Sequence, residues 1–309
     1  MGGGLVSGGR AAHAHPRDGP AAWSLRNRTR GRAAVKGVCV VVLAAGLGTR
    51  LMPLTATCPK ALVPVGNVPL LDRGLQRLAA SGFSGQAEVA VNAHHHFEKV
   101  VEHVGERAHL SIEESAPLAS AGALGHLREW IDGRAVLVLN ADAYVSAPPG
   151  DLRRLLDGWD GERVRILGRR EHDGHPPFGG LSFAGASLIP AAEAARLKDE
   201  YSHLVLTTWR PAAREGRLDA IELDGTYIDC GSPADYLAAN MHAARGSNLI
   251  DPSAVVQGPV SECVIGARAR VRGSVSRSVL WPGASVGEGE VLEQVIRTAS
   301  GLTVEATAG

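Results

Sequence analysis

Leu249, Val264 and Val279 open three stretches that superimpose at a constant spacing. The alignment brings Ile250, Ile265 and Leu280 into register, then Ala254, Ala269 and Ala284, then Val256, Val271 and Val286. Within each stretch an apolar residue returns after six positions, and the fifth place is small. Such a hexad suits a parallel β-helix, whose flat faces are about six residues long and whose corner residues must be small and point inward. An irregular β-tail is the alternative, because each unit falls a little short of three complete hexads. Three coils make a short solenoid that gains by docking on the preceding chain or on another subunit.

Upstream of the repeat, short β-branched runs alternate with amphipathic stretches, the pattern of an α/β fold with a mainly parallel sheet. Strands are expected at Val38 to Leu43, Glu88 to Asn92, Ala135 to Asn140 and Arg163 to Leu167. Phe97, Val100, Val101 and Val104 recur at helical spacing and predict a helix. Another helix should open at Ser232-Pro233-Ala234-Asp235, with Ser as N-cap, Pro in the first turn and Asp completing a capping box. The expected division is a tail over 1–36, a catalytic α/β domain over 37–247 and a hexad-repeat domain over 248–309.

The 309 residues are 45% apolar and 21% charged, which excludes disorder throughout. Thirty-two basic and 32 acidic residues leave no net charge, so neither a nucleic acid backbone nor an anionic membrane is the expected partner. Seven of the basic groups fall in residues 1–36 with a single acid, Asp18, so the remainder is mildly acidic. That Gly/Ala/Arg-rich stretch reads as a disordered tail, with Val35 as an alternative start. It lacks the apolar core of a secretory signal. The longest apolar run, Val38 to Ala45, is well short of the roughly 20 residues that span a bilayer. Cys39, Cys58, Cys230 and Cys263 form no C-x-x-C pair, which argues against a zinc site or a disulfide framework. A cytoplasmic location is expected.

The first strand runs into Ala44-Ala45-Gly46-Leu47-Gly48-Thr49-Arg50-Leu51. Without side chains at Gly46 and Gly48, backbone N–H groups can approach an anion closely. Leu51 stands where a dinucleotide fingerprint needs its third glycine, and no Walker-type loop is present. The chain continues through Pro53-Leu54-Thr55 to Pro59-Lys60. Only four lysines occur against 28 arginines, so Lys60, held between proline-bearing turns, reads as a positioned cation.

This opening resembles that of the sugar-1-phosphate nucleotidyltransferases, the nucleotide-sugar pyrophosphorylases, and the hexads resemble the left-handed β-helix found in many of them. The likeness covers Val38 to about Val304. It implies a Rossmann-like, mixed but mainly parallel sheet followed by the β-helix. It further implies that Leu43, Ala44, Ala45, Gly46, Gly48 and Thr49, with Gly122, bind a nucleoside triphosphate, and that Arg50 and Lys60 contact its phosphates. Magnesium would be held by two aspartates, and Asn140 and Gly180 would face the sugar. Asp142 follows an apolar strand, at the edge where open α/β sheets bind ligands, and Asp229 precedes a helix whose cap is already filled by Ser232. Two carboxylates suit magnesium, which leaves its other positions to water and phosphate. The implied reaction is attack of a sugar 1-phosphate on the α-phosphorus of the triphosphate, with release of pyrophosphate.

Some segments depart from the family. Leu118-Ala119-Ser120-Ala121-Gly122 stands where relatives commonly read L-G-T-A-G, which leaves the base open. An E-K-P element is missing after the strand near Leu167; Arg169 or Arg170 could stand in for its lysine, although both are expected to be solvated. Val91-Asn92-Ala93-His94 resembles guanylyl- and muramate-uridylyl-type members more than thymidylyltransferases. His94-His95-His96 point in different directions from a helix start and suit loop contacts better than one metal. Trp281 suits packing. A silent nucleotide-sugar-binding regulator and a hexad-repeat acyltransferase are the alternatives, and a homo-oligomer is expected from exposed apolar edges.

Overall fold

Valine- and leucine-rich runs bounded by turns build a seven-stranded central sheet. Its strands are β1 (Val38–Leu43), β2 (Val89–Ala93), β3 (His109–Ile112), β4 (Ala135–Asn140), β5 (Val164–Arg169), β6 (Ser182–Ile189) and β7 (Leu218–Glu222). The computed structural model describes residues 1–2, 37–170 and 177–306. The readings of 1–36 as a tail and of Val35 as a start lie outside the described residues, as does the segment 171–176.

The strand order is β7-β5-β6-β4-β1-β2-β3. Neighbours run parallel except at β6, which is antiparallel to both β4 and β5. β1 is buried on both faces: Val40 and Val42 join one apolar cluster, Cys39 and Val41 the other. A strand covered on both sides reads as a continuous apolar run, and this one does. The helix Leu70–Ser81 lays Leu71 and Leu78 into the first cluster and ends on Gly82 in the left-handed conformation. Burying each of those leucines contributes about 1.5–3 kcal/mol. Phe97–Val104 is helical as its spacing predicts, with Val100 and Val104 buried.

β1 and β4 have the expected bounds, whereas β2 begins one position late, because the Glu88 N–H donates to the Gly85 carbonyl within the preceding turn. In the sheet register Leu43 lies beside Asn92 on one side and Asn140 on the other, so three strand ends arrive abreast. The chain leaves β1 for β2 on one side and reaches β4 on the other, the switch point at which open α/β sheets form a crevice.

The helix Pro233–Ala244 opens on Ser232, whose hydroxyl accepts the Asp235 N–H and donates to the Asp235 carboxylate. Beyond it, three ladders of short parallel strands form the faces of a solenoid. Leu249 pairs with Val264 and Val264 with Val279, and the parallel face pairs Val256 with Val271 and Val271 with Val286, so the register seen in the repeat is the register of the coils. The next step is longer, from Val279 to Ile296 and from Val275 to Leu292, because a turn at Gly287–Glu290 adds length. Ile265, Ala269, Val271, Leu280, Ala284 and Val286 fill the interior. Thr303–Glu305 pairs antiparallel with Val295–Arg297 and covers the last coil.

The solenoid shares a core with the α/β part. Val264, Val279 and Ile296 pack in one cluster with Tyr236, Leu237, Leu51 and Leu54. The fully buried Tyr236 hydroxyl donates to the Pro64 carbonyl and accepts from the indole N–H of Trp281 at 3.0 Å. Trp281 is therefore a packing residue. Tyr236→Phe leaves that N–H and that carbonyl without partners and should cost about 1–3 kcal/mol in chemical denaturation. An unchanged midpoint would show that the solenoid is held by other contacts.

Candidate active site

The site grows from the end of β1. The Ala44 N–H donates to the Asn92 side-chain oxygen at 2.7 Å, which fixes the first peptide of the glycine turn against β2. Gly48 sits at φ +64, and a Cβ there would lie 3.0 Å from the Thr55 methyl and 3.1 Å from Lys60 Cβ. The Thr55 hydroxyl donates to the Gly48 carbonyl at 2.8 Å. Short 3₁₀ turns at Thr49–Leu51, Leu54–Ala56 and Lys60–Leu62 carry the chain around the site, pinned by buried Leu51 and Leu54.

Lys60 is 6% exposed, and its ammonium donates to Asp142 Oδ2 at 3.0 Å and to Asp229 Oδ1 at 3.4 Å. The carboxylates come from distant parts of the chain. Asp142 follows β4, and Asp229 ends the strand Thr226–Asp229, which pairs antiparallel with Ala143–Ser146 so that Asp229 stands opposite Ala143. That register brings the two acids to one ammonium. Arg50 Nη2 reaches Asp229 Oδ2 at 3.1 Å from the exposed side. Beneath them burial pushes the Cys230 thiol up to about 12, with the two aspartates adding to the shift. The Tyr227 hydroxyl is raised in the same way, by burial first and then by the same two charges.

Two adjoining cavities share this floor. The larger, about 280 Å³, is walled by Leu43, Ala44, Ala45 and Gly46 from the turn, by Asn92, Asn140 and Asp142 at strand ends, and by Pro117, Ala119, Ser120 and His203 opposite. The smaller, about 110 Å³, lies between Gly46, Gly48, Thr49, Arg50, Lys60, Asp142 and Gly231. Gly46, Lys60 and Asp142 belong to both. A polar floor under an anion-seeking turn, opening to water, can seat a polyphosphate with its charge distributed over both cavities.

Gly122 and Gly180 line neither cavity. Gly122 lies in the helix Ala119–His126, where a Cβ would meet the Glu200 carbonyl at 2.3 Å, so the position needs glycine for packing. Gly180 is exposed in the turn between Phe178 and Leu181. Arg170 is engaged elsewhere, forking onto Glu222 at 2.6 and 2.9 Å, and Arg169 lies over the Tyr227 ring at 5.5 Å. The three histidines contact separate carbonyls: His94 that of Glu113 at 2.6 Å, His95 that of Thr55 at 3.4 Å and His96 that of Ala56 at 2.9 Å. The last two brace the loop after Leu54.

Asn92 acts through its side chain, which its place in Val91-Asn92-Ala93-His94 does not disclose. Glu113 and His203 are absent from the sequence reading. Glu113 could be found by the reasoning used for Asp142, since it is a carboxylate just beyond an apolar strand, but β3 is short. His203 lies outside any regular strand, and no local signal marks it.

Residues 39–180 match the family model for Nucleotidyl transferase. Mannose-1-phosphate guanyltransferase of Aspergillus oryzae is 26% identical over 250 residues, 69% of this chain and 67% of that protein. N-acetylmuramate alpha-1-phosphate uridylyltransferase of Caulobacter vibrioides is 28% identical over 242 residues, 66% of this chain and 96% of that protein. A crystal structure described as a putative glucose-1-phosphate thymidylyltransferase from Bacillus anthracis shares the fold, with a TM-score of 0.58 at 19% identity over 67% of this chain and 95% of that one.

All four cysteines are free thiols, and burial raises Cys39 and Cys58 to about 11 and Cys230 to about 12 from an ordinary 9.0. An unfolded chain ionises these thiols above pH 9 while the folded one keeps them neutral, so folding stability should fall as pH rises from about 9 toward 12. At pH 8 the native protein should react slowly with a thiol-specific disulfide reagent, and four thiols should appear in denaturant. Fast reaction of Cys39, Cys230 or Cys263 in the native chain would contradict the burial of those three; Cys58 is half-buried.

Proposed function

We propose that this chain transfers a nucleotidyl group from a nucleoside triphosphate to a sugar 1-phosphate, forming a nucleoside diphosphate sugar and pyrophosphate. The observation that carries the reading is the nearly buried Lys60 ammonium shared by Asp142 and Asp229 under the glycine turn. The domain match and the two curated relatives support it. In the proposed reaction a phosphate oxygen of the sugar attacks the α-phosphorus, and the bond to the bridging oxygen of pyrophosphate breaks. No protein nucleophile is required.

The chain's own groups bind, orient and neutralise. Backbone N–H groups around Gly46 and Gly48 receive phosphate oxygens, Arg50 offers a two-pronged donor at the open edge, and Lys60 supplies a compact charge at the floor. Positioning two anionic reactants and stabilising charge on the leaving pyrophosphate supply most of the acceleration in such a transfer. The donor set also fits magnesium: Asp142 and Asp229 are hard oxygen ligands, each side chain 42% exposed and so accessible to water and phosphate. Those two residues would hold the ion, which when bound supplies further neutralisation of the phosphates.

The proposal extends to a catalytic unit over 37–247 with a solenoid over 248–309, acting in the cytoplasm. Among the described residues no helix is long and apolar enough to cross a membrane. A homo-oligomer is part of the proposal, since Leu249, Ile250 and Val255 stay exposed on the first coil.

Incubation with magnesium, each nucleoside triphosphate and a panel of sugar 1-phosphates should release pyrophosphate only when a particular sugar is present. Silence across the panel, or pyrophosphate release independent of sugar, would overturn the reading. Lys60→Ala and Asp142→Asn should each lower turnover by about 10²-fold or more, equivalent to about 2.7 kcal/mol of transition-state stabilisation. Near-normal rates in either variant would remove these two residues from the chemistry.

A further inference from the structure

One buried polar chain links the two walls of the larger cavity. The Ala44 N–H donates to Asn92 Oδ1 at 2.7 Å, Asn92 Nδ2 donates to Glu113 Oε1 at 2.6 Å, and Glu113 Oε2 accepts the Leu118 N–H at 2.8 Å. Asn92 is 2% and Glu113 3% exposed. The first link belongs to the glycine turn, the last to the segment that presents Pro117, Ala119 and Ser120 across the cavity.

That far wall needs holding. Ala119 sits at φ +58, a left-handed conformation that costs a non-glycine residue on the order of 1 kcal/mol and persists only where its surroundings enforce it. On the other side the Leu118 carbonyl accepts from Ser202 N–H at 3.1 Å, and Ser120 Oγ accepts from Leu204 N–H at 2.9 Å. Glu113 is thus the tie on the β-sheet side, and the segment 202–204 is the tie opposite.

The polarity of the chain is directional. Ala44 and Leu118 each present an N–H, so each end needs an acceptor. An amide followed by a carboxylate satisfies both ends and the link between them. We infer that Glu113 is a positioning residue that, through Asn92, sets the glycine turn and the Leu118–Ser120 wall at a fixed separation, and thereby sets affinity for the nucleoside triphosphate. The inference rests on reading this cavity as the nucleotide pocket.

Glu113→Gln keeps the size but has one acceptor atom where two are needed, so either Asn92 or Leu118 loses its partner. Asn92→Asp alone places two carboxylates face to face. Combining Asn92→Asp with Glu113→Gln reverses the order of amide and acid and restores every donor–acceptor pair. The Ala44 N–H then meets one oxygen of the new carboxylate, the new amide donates to the other oxygen, and the Leu118 N–H meets the carbonyl of that amide.

The test has two readouts. Glu113→Gln should raise KM for the nucleoside triphosphate about tenfold with a smaller change in kcat, and the double variant should recover most of that loss. Deuterium uptake in the ligand-free protein should rise in Glu113→Gln in peptides covering 43–50 or 114–122, at whichever wall loses its partner, and return in the double variant. A KM unmoved by Glu113→Gln, a double variant no better than the single ones, or uptake unchanged at both walls would overturn the coupling. Failure of the wild-type chain to bind any nucleoside triphosphate would instead remove the proposed function, and the uptake measurement would still decide whether the two walls are tied.

Discussion

A single ammonium satisfying two carboxylates from distant parts of the chain is the interaction on which the site depends. Lys60 is almost out of water, whereas the side chains of Asp142 and Asp229 are 42% exposed. Burying a lone cation would cost several kcal/mol, and two adjacent acids without a cation would repel. Each partner removes the other's penalty. The arrangement also leaves the carboxylate faces open toward the cavities, so the same atoms can meet a ligand from solvent.

What delivers the three charges is strand geometry. β1, β2 and β4 end abreast, so the turn after β1 and the acid after β4 emerge at one edge. Asp229 arrives through the antiparallel ladder with Ala143–Ser146, and Lys60 through a 3₁₀ turn whose neighbour Ala61 packs into the core. A shift of one position in the Thr226–Asp229 ladder would turn Asp229 to the opposite face. The solenoid contributes at a distance, because its Val264, Val279 and Ile296 close over the same cluster that holds Leu51 and Leu54 beneath the glycine turn.

Much of this can be read from residues alone, and the exceptions have physical causes. Val38–Leu43 and Ala135–Asn140 are apolar on both faces and declare themselves, as does the constant register of the first coils. Ser182–Ile189 does not: its Ser, Ala and Gly residues are poor strand formers, and it is a strand because β4 and β5 pair with it on either side. Leu218–Glu222 is half-buried at the sheet edge and has no periodicity to detect. In the site, Lys60 and Asp142 stand out through local context, but the Asn92–Glu113 bond exists only because β2 and β3 pair with Asn92 beside Ser111. Motif likeness puts Gly122 near the nucleotide because it gives no facing direction, whereas the neighbour of Gly122 is the Glu200 carbonyl.

The scarcity of lysine has a structural counterpart in how the arginines are used. Arg73 binds the Val65 carbonyl through two nitrogens, Arg134 ties those of Ile131 and Ala87, and Arg165 gathers those of Leu155, Asp157 and Gly158. A planar group with five donors suits this work, because it can join several carbonyls at the end of a loop at once. Other arginines pair at the surface, as Arg163 does with Asp219 and Arg217 with Glu193, where screening by water leaves each contact with little effect on stability. Lys60 does neither. Its three donors radiate from one atom, so it can serve two carboxylates that do not lie in one plane. The stem is confined as well, since a Cβ on Gly48 would already stand 3.1 Å from Lys60 Cβ, and a branched guanidinium at that depth would need more room than a tapering ammonium. The shape of the cation, as much as its charge, suits lysine to this position.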